Sequence, residues 1–133
     1  MIDSSFQLSQ ETLGKMVEEV GADKGPLLIL TTVGAKTGEQ RSVPLGYLEL
    51  EGQLLVVGSM AGSVRNPPWY YNLMANPQVE VELNGKKFDA QAQVLQGAER
   101  ERIFKSVCAI APVYGDIQAS VERTIPVIAL TAI

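Results

Sequence analysis

Three cations stand where binding chemistry could be done: Lys36 and Arg41 in the segment GAKTGEQRSVP (34–44), and Arg65 just before Asn66-Pro67-Pro68-Trp69. The first segment lies between two apolar runs, LLILTTV and LGYLEL, that an ordinary two-residue turn would join. A P-loop would need glycine directly before the lysine and again five residues earlier, but Ala35 and Leu30 occupy those places. Two readings stay open. Gly, Thr, Glu and Lys are ordinary residues of a solvated surface turn. Alternatively, Gly34 and Gly38 let the backbone approach an anion, Lys36 supplies charge, and Arg41 offers its bidentate fork.

The segment SMAGSVRNPPWYYNL (59–73) offers a second cradle: a small-residue loop, then a helix start at Asn66 whose free first-turn amides and neighbouring Arg65 suit a negative group. Trp69, Tyr70 and Tyr71 either pack that helix on its sheet or, in the case of the chain's only tryptophan, flank a planar ring. Ser59 and Tyr114 are the hydroxyls best suited to handle a proton, although such residues also serve as structural hydrogen-bonders.

The totals narrow the chemistry further. The chain has no histidine, so triads and dyads built on imidazole are excluded, and reactivity is expected to come from a cofactor. One cysteine, Cys108, allows no internal disulfide, reads as an inert thiol, and with no histidine gives no metal pattern. A net charge of −4 argues against a nucleic-acid surface and makes the local cations stand out. Glu80 and Glu82 read as an exposed strand face, and Glu99 and Glu101 as a solvated helix face. With 46% hydrophobic and 20% charged residues over 133 positions, a single globular domain (1–133) is expected. Neither a membrane span nor a signal peptide is visible, and a cytoplasmic protein is expected.

These residues must be positioned by a small set of elements. Helical spacing of Leu13, Met16, Val17 and Val20 predicts a helix over 9–20. Strands are predicted over 27–33, 43–50 and 53–59, the last two joined at Glu51-Gly52. Asn66 as cap with prolines behind it predicts a helix over 67–75. Alternation on both sides of Asn84-Gly85 predicts a type I′ hairpin. Helices over 98–108 and 116–122, the second capped by Asp116, and a strand over 126–131 complete the chain. About six strands, mostly joined as neighbours, imply an α+β fold built on an antiparallel barrel or strongly curved sheet.

Taken together, TTVGAKTGEQRSVPL, VGSMAGSVRNPPWYYNLMANPQVEVEL and RTIPVIAL resemble the deazaflavin-dependent nitroreductase family, split β-barrel oxidoreductases that use coenzyme F420. The likeness spans residues 27–130. It implies that Lys36 and Arg41 bind the cofactor's phosphate and acidic tail, which explains the long cationic loop, and that Thr37 between them also binds the cofactor. It also implies that Val43, Pro44 and Ser59 lie beside the deazaflavin, that Pro68, Trp69 and Asn72 flank it from the helix, and that Met60, Arg65 and Asn66 complete the site. Reduced deazaflavin supplies hydride in this family, leaving the protein to orient donor and acceptor, with Tyr114 or Ser59 assisting protonation. The family's efficient nitroimidazole reducers carry tyrosines where this chain has Gly46, Ile117 and Ser120, and often lysine where it has Met60. A more open pocket is therefore expected, with hydride passed to a quinone-like, nitro or other electron-poor planar acceptor, quinones and planar enones ahead of nitroimidazoles. Two alternatives are an apolar-ligand-binding barrel without turnover and an FMN-binding reductase. Oligomeric state, peripheral membrane contact and the identity of the acceptor are left open.

Overall fold

The computed structural model describes residues 26–133, so the helix expected over 9–20 lies outside the described residues. Six strands form a closed, wholly antiparallel barrel: β1 (Leu27–Val33), β2 (Gln40–Leu50), β3 (Gln53–Val57), β4 (Gln78–Leu83), β5 (Lys86–Val94) and β6 (Val127–Ala132). Their order around the barrel is β1-β2-β3-β6-β5-β4, and closure through the β1–β4 pair removes the exposed edges that an open sheet would present. Both tight hairpins fall where they were expected, the second on its Asn-Gly turn signal. Glu51-Gly52 and Asn84-Gly85 each have positive φ at both residues, as a type I′ turn requires.

Two apolar clusters hold the barrel. The first fills its interior with Leu28, Leu30, Val56, Val81, Ile128 and Leu130, and is joined by Trp69 and Leu73 from helix α1 (Pro68–Ala75). The second lies outside β3 and β6, where Leu55, Val57, Val127 and Ala129 meet Ile103, Phe104 and Val107 of helix α2 (Gly97–Ile110). Because successive strand residues face opposite ways, β3 and β6 are buried on both faces, which is why LLVV and VIAL read as unbroken apolar runs.

Several expected boundaries move. β2 starts at Gln40, three residues before the apolar run, because Gln40, Arg41 and Ser42 pair with Val33, Thr32 and Thr31 of β1. Arg41 is thus a strand residue, and the loop proper is 34–39. The last helix, α3, runs Val113–Ser120 and starts behind Pro112, whose fixed φ of −57° suits a helix start; Asp116 sits inside it and does not cap it. On α2 the solvated face holds for Glu99 and Glu101, but Arg100 between them is only 5% exposed. Its guanidinium stacks 4.1 Å over Phe104 and donates to the Ile125 carbonyl at 2.6 Å, offsetting the cost of burying the charge. Cys108 is half-buried, and burial pushes its thiol pKa up despite the opposing pull of Arg100, consistent with an inert thiol.

Candidate active site

The 34–39 loop is a compact unit. Gly34 N–H donates to the Glu39 carbonyl at 2.7 Å, Gly38 N–H donates to the Gly34 carbonyl at 2.9 Å, and Glu39 N–H donates to Thr37 Oγ1 at 3.2 Å. Gly38 sits at φ +74°, which favours glycine. At Gly34 the reason is space: an added Cβ would lie 2.7 Å from Thr37 Oγ1 and 3.2 Å from the Glu39 oxygen. Gly34→Ala is expected to open the loop and cost about 1 kcal/mol through its lost hydrogen bonds. Amide exchange at position 34 and at Glu39 faster than in the parent protein checks this.

Asn72 ties this loop to α1. Its Oδ1 accepts from Ala35 N–H at 3.0 Å, and its Nδ2 donates to Thr32 Oγ1 at 3.1 Å. One side chain therefore fixes the end of β1, the loop and the helix relative to one another.

Between the loop, the 58–66 segment and α1 lies a groove of about 860 Å³. Lys36, Thr37 and Arg41 line it from the first side, and Val43 from β2. Met60 and Arg65 face it from the 58–66 segment with Ser63 and Asn66, while α1 contributes Pro68, Trp69 and Asn72. Three cations and no carboxylate line it, against a chain net charge of −4. A smaller cavity of about 470 Å³ has the opposite character, with Glu80 and Asp89 and no cation in its lining. Arg41 pairs with Glu39 at 3.1 Å, but both side chains are about two-thirds exposed (63% and 65%), where such pairs contribute little. A ligand anion can therefore take Arg41 over at small cost.

Three expected site residues are not in the lining. Pro44 is buried and pairs with Ile29; since Val43 lines the groove, alternation points Pro44 to the other face. Ser59 precedes the 3₁₀ turn Met60–Gly62, and its carbonyl receives Gly62 N–H at 3.0 Å. Tyr114 is half-buried against the second cluster, and burial raises its phenol pKa above the ordinary 10.0, so it stays protonated at neutral pH.

The helix start also differs from expectation. Pro67 holds the cap position of α1 and Pro68 the first helical one, so neither supplies an N–H, and Tyr70 N–H is spent on the Pro67 carbonyl at 3.0 Å. The helix end gives its dipole but few amides, and the side-chain cations carry the charge. Asn66 caps nothing: its Oδ1 accepts from Arg123 Nη1 at 2.6 Å.

Sequence reasoning missed Tyr71 and Arg123. Tyr71 lines the groove, half exposed, with its ring edge-on to Tyr70 at 5.3 Å; nothing in the run of aromatics distinguished it from packing. Arg123 holds the 58–66 segment from outside the lining, and the R-T-I-P motif was its only trace.

Among the described residues, no group of three or more His, Cys, Asp or Glu could hold a metal, and no helix is long and apolar enough to cross a membrane. The closed antiparallel six-strand barrel with its packed helices is a split-barrel fold. A FAD-binding protein from Mesorhizobium loti shares that fold at 16% identity and TM-score 0.57, covering 94% of this chain and 88% of its own.

The family model for F420H(2)-dependent quinone reductases matches residues 4–132, and the chain belongs to that family. It is accordingly an oxidoreductase whose cofactor is coenzyme F420. An F420H(2)-dependent quinone reductase of Mycobacterium tuberculosis is 38% identical over 109 residues, 80% of this chain and 73% of the relative. The solved structure of an F420-H2 dependent reductase (FDR-A) superposes with TM-score 0.70 at 39% identity, covering 79% of this chain and 93% of that one.

Proposed function

We propose that this chain, as a single split-barrel domain, uses the groove beside α1 to hold F420 and passes its hydride to a quinone-like planar acceptor. The observation that carries the reading is the lining: Lys36, Arg41 and Arg65 converge on one groove that has no carboxylate and an apolar wall of Val43, Pro68 and Trp69. Its volume of about 860 Å³ falls within the usual range for cofactor sites. A ligand with a negative tail and a flat apolar head matches both ends.

When bound, F420 supplies the hydride chemistry that no side chain of this protein can. Lys36 and Arg41 hold the anionic portion, Arg by its planar fork, with Thr37 offering a hydroxyl between them. Asn72 keeps that loop in register with Trp69, whose indole forms part of the opposing wall. Met60 and Tyr71, both about half exposed, edge the open side where an acceptor enters. Neither is a fixed charge, which suits a neutral quinone better than a nitro group needing a strong donor.

Protonation of the reduced acceptor falls to Ser59 or Tyr114 only if the acceptor reaches over the Met60–Gly62 turn toward α3. Both lie off the lining, and Tyr114 packs in the second cluster. Tyr114→Phe is therefore expected to retain turnover within about twofold, since the hydroxyl's loss leaves the ring's packing intact. A drop of a hundredfold at unchanged KM would assign the proton to Tyr114.

Turnover with reduced F420 and a set of quinones, followed by the return of oxidised-F420 fluorescence, tests the function. Menadione-type quinones should be reduced faster than nitroimidazoles, and FMN should not replace F420. Tight F420 binding without turnover of any planar acceptor would contradict the proposal and favour a binding barrel.

A further inference from the structure

The wall formed by the 58–66 segment has little internal structure. Its own hydrogen bonds are Gly62 N–H to the Ser59 carbonyl, Ser63 N–H to the Met60 carbonyl, and Arg65 N–H to Ser63 Oγ at 3.3 Å. Met60 holds φ +45°, a left-handed conformation that a non-glycine residue keeps only when its surroundings impose it.

The imposing group is Arg123, in the connection between α3 and β6. It donates from Nε to the Ser63 carbonyl (2.9 Å), from Nη1 to the Gly58 carbonyl (3.1 Å) and Asn66 Oδ1 (2.6 Å), and from Nη2 to the Ser59 carbonyl (2.8 Å). All four acceptors belong to one segment of nine residues, 58–66, and they bracket the strained Met60 on both sides. A planar fork with five donors can meet this set, whereas an ammonium with three donors and no fixed plane cannot.

The brace is itself fixed from behind. Gln118 of α3 donates from Nε2 to the Arg123 carbonyl at 2.8 Å, and its Oε1 accepts from Ile125 N–H at 2.9 Å and from buried Arg100 Nη2 at 3.0 Å. Gly58 packs so closely on the same connection that an added Cβ would stand 2.7 Å from Pro126 Cγ. The 58–66 wall is thus hung on the 123–126 turn at several points and not on the groove's other wall.

We propose that Arg123 is a positioning residue of the cofactor groove: without touching the ligand, it sets Met60, Arg65 and Asn66 across from Lys36 and Arg41. The proposal rests on the reading of this groove as the F420 site. It makes Arg123 a determinant of cofactor affinity more than of the chemical step.

Arg123→Lys, which keeps the charge, separates this from a merely structural role. Hydrogen exchange by mass spectrometry on the ligand-free protein should show 58–66 exchanging at least about tenfold faster, with α1 and the 34–39 loop unchanged. KM for F420 should rise by about tenfold or more while kcat at saturation stays within about threefold. Should Arg123→Lys fail to fold, Gln118→Glu, which sets a carboxylate oxygen against the Arg123 carbonyl in place of a donor while its other oxygen still accepts from Ile125 N–H and Arg100, should give the same pattern more weakly. Unchanged exchange in 58–66, faster exchange everywhere, or an equal loss of kcat at unchanged KM would overturn the proposal. If the parent protein binds no F420, the groove's assignment fails, and the exchange experiment still decides whether Arg123 holds the wall.

Discussion

Lys36→Ala combined with Arg41→Ala is expected to weaken F420 binding by on the order of a hundredfold, about 3 kcal/mol, while leaving the fold intact. Charge-assisted hydrogen bonds to an anion contribute about 1.5–3 kcal/mol each, and an open, solvated groove puts these at the lower end. The fold should be indifferent because both side chains are exposed; Arg41 pairs only with exposed Glu39 among the described residues, and surface changes of this kind usually alter stability by less than about 0.5 kcal/mol. Fluorescence titration measures the loss, and the thermal midpoint controls for the fold. Because the interaction is electrostatic, the parent protein's affinity should fall with added salt, and that of the double variant should fall much less.

Trp69→Ala has the largest expected effect on stability. The indole is 7% exposed, belongs to the barrel's interior cluster, and lines the groove on its other side. Truncating a buried aromatic typically costs about 3–5 kcal/mol, which in a domain of this size lowers the thermal midpoint by on the order of 10 °C or more. Nothing nearby is placed to fill the space, since Leu73, the other buried residue of α1, is committed to the same cluster. Trp69→Phe keeps most of the packing and should cost about 1–2 kcal/mol, with cofactor affinity falling more than stability. A Trp69→Phe protein with full stability and unchanged F420 affinity would remove the indole from the site.

How far the sequence could be read depended on whether the cause was local. The Asn84-Gly85 turn was legible because Asn and Gly themselves favour positive φ, whereas at Glu51-Gly52 only the glycine and the flanking apolar runs marked the turn. So were β3 and β6, whose unbroken apolar runs mark burial on both faces. The start of β2 was not, because polar Gln40, Arg41 and Ser42 are strand only by virtue of their pairing with β1, a nonlocal cause. Asn66 misled for the opposite reason: its type and position suit a cap, yet a guanidinium 57 positions later in the chain claims its oxygen. Arg100 shows the same blindness, since charge and neighbours suggest a solvated face and only its nonlocal bonds to the Ile125 carbonyl and Gln118 reveal why it is buried.

Within the candidate site, the residues read from motif and charge proved easiest to place. Lys36, Arg41, Arg65, Trp69 and Asn72 converge on one groove from four separate elements: the 34–39 loop, β2, the 58–66 segment and α1. The hydroxyls proposed for proton transfer did not follow, because no sequence feature tells which way a serine at a turn or a tyrosine on a short helix will face. Pro44 was lost to strand alternation: admitting Val43 to the groove excludes its neighbour.

The most direct test of the cationic loop's role compares F420 with a deazaflavin that has the same ring system but lacks the phosphate and acidic tail, titrated against the parent protein and the Lys36→Ala/Arg41→Ala variant. The parent is predicted to prefer the tailed cofactor by on the order of a hundredfold at low salt, and the variant to bind the two nearly alike. Equal affinity of the parent for both ligands, or an undiminished preference in the variant, would contradict the assignment of Lys36 and Arg41 as the holders of the anionic tail.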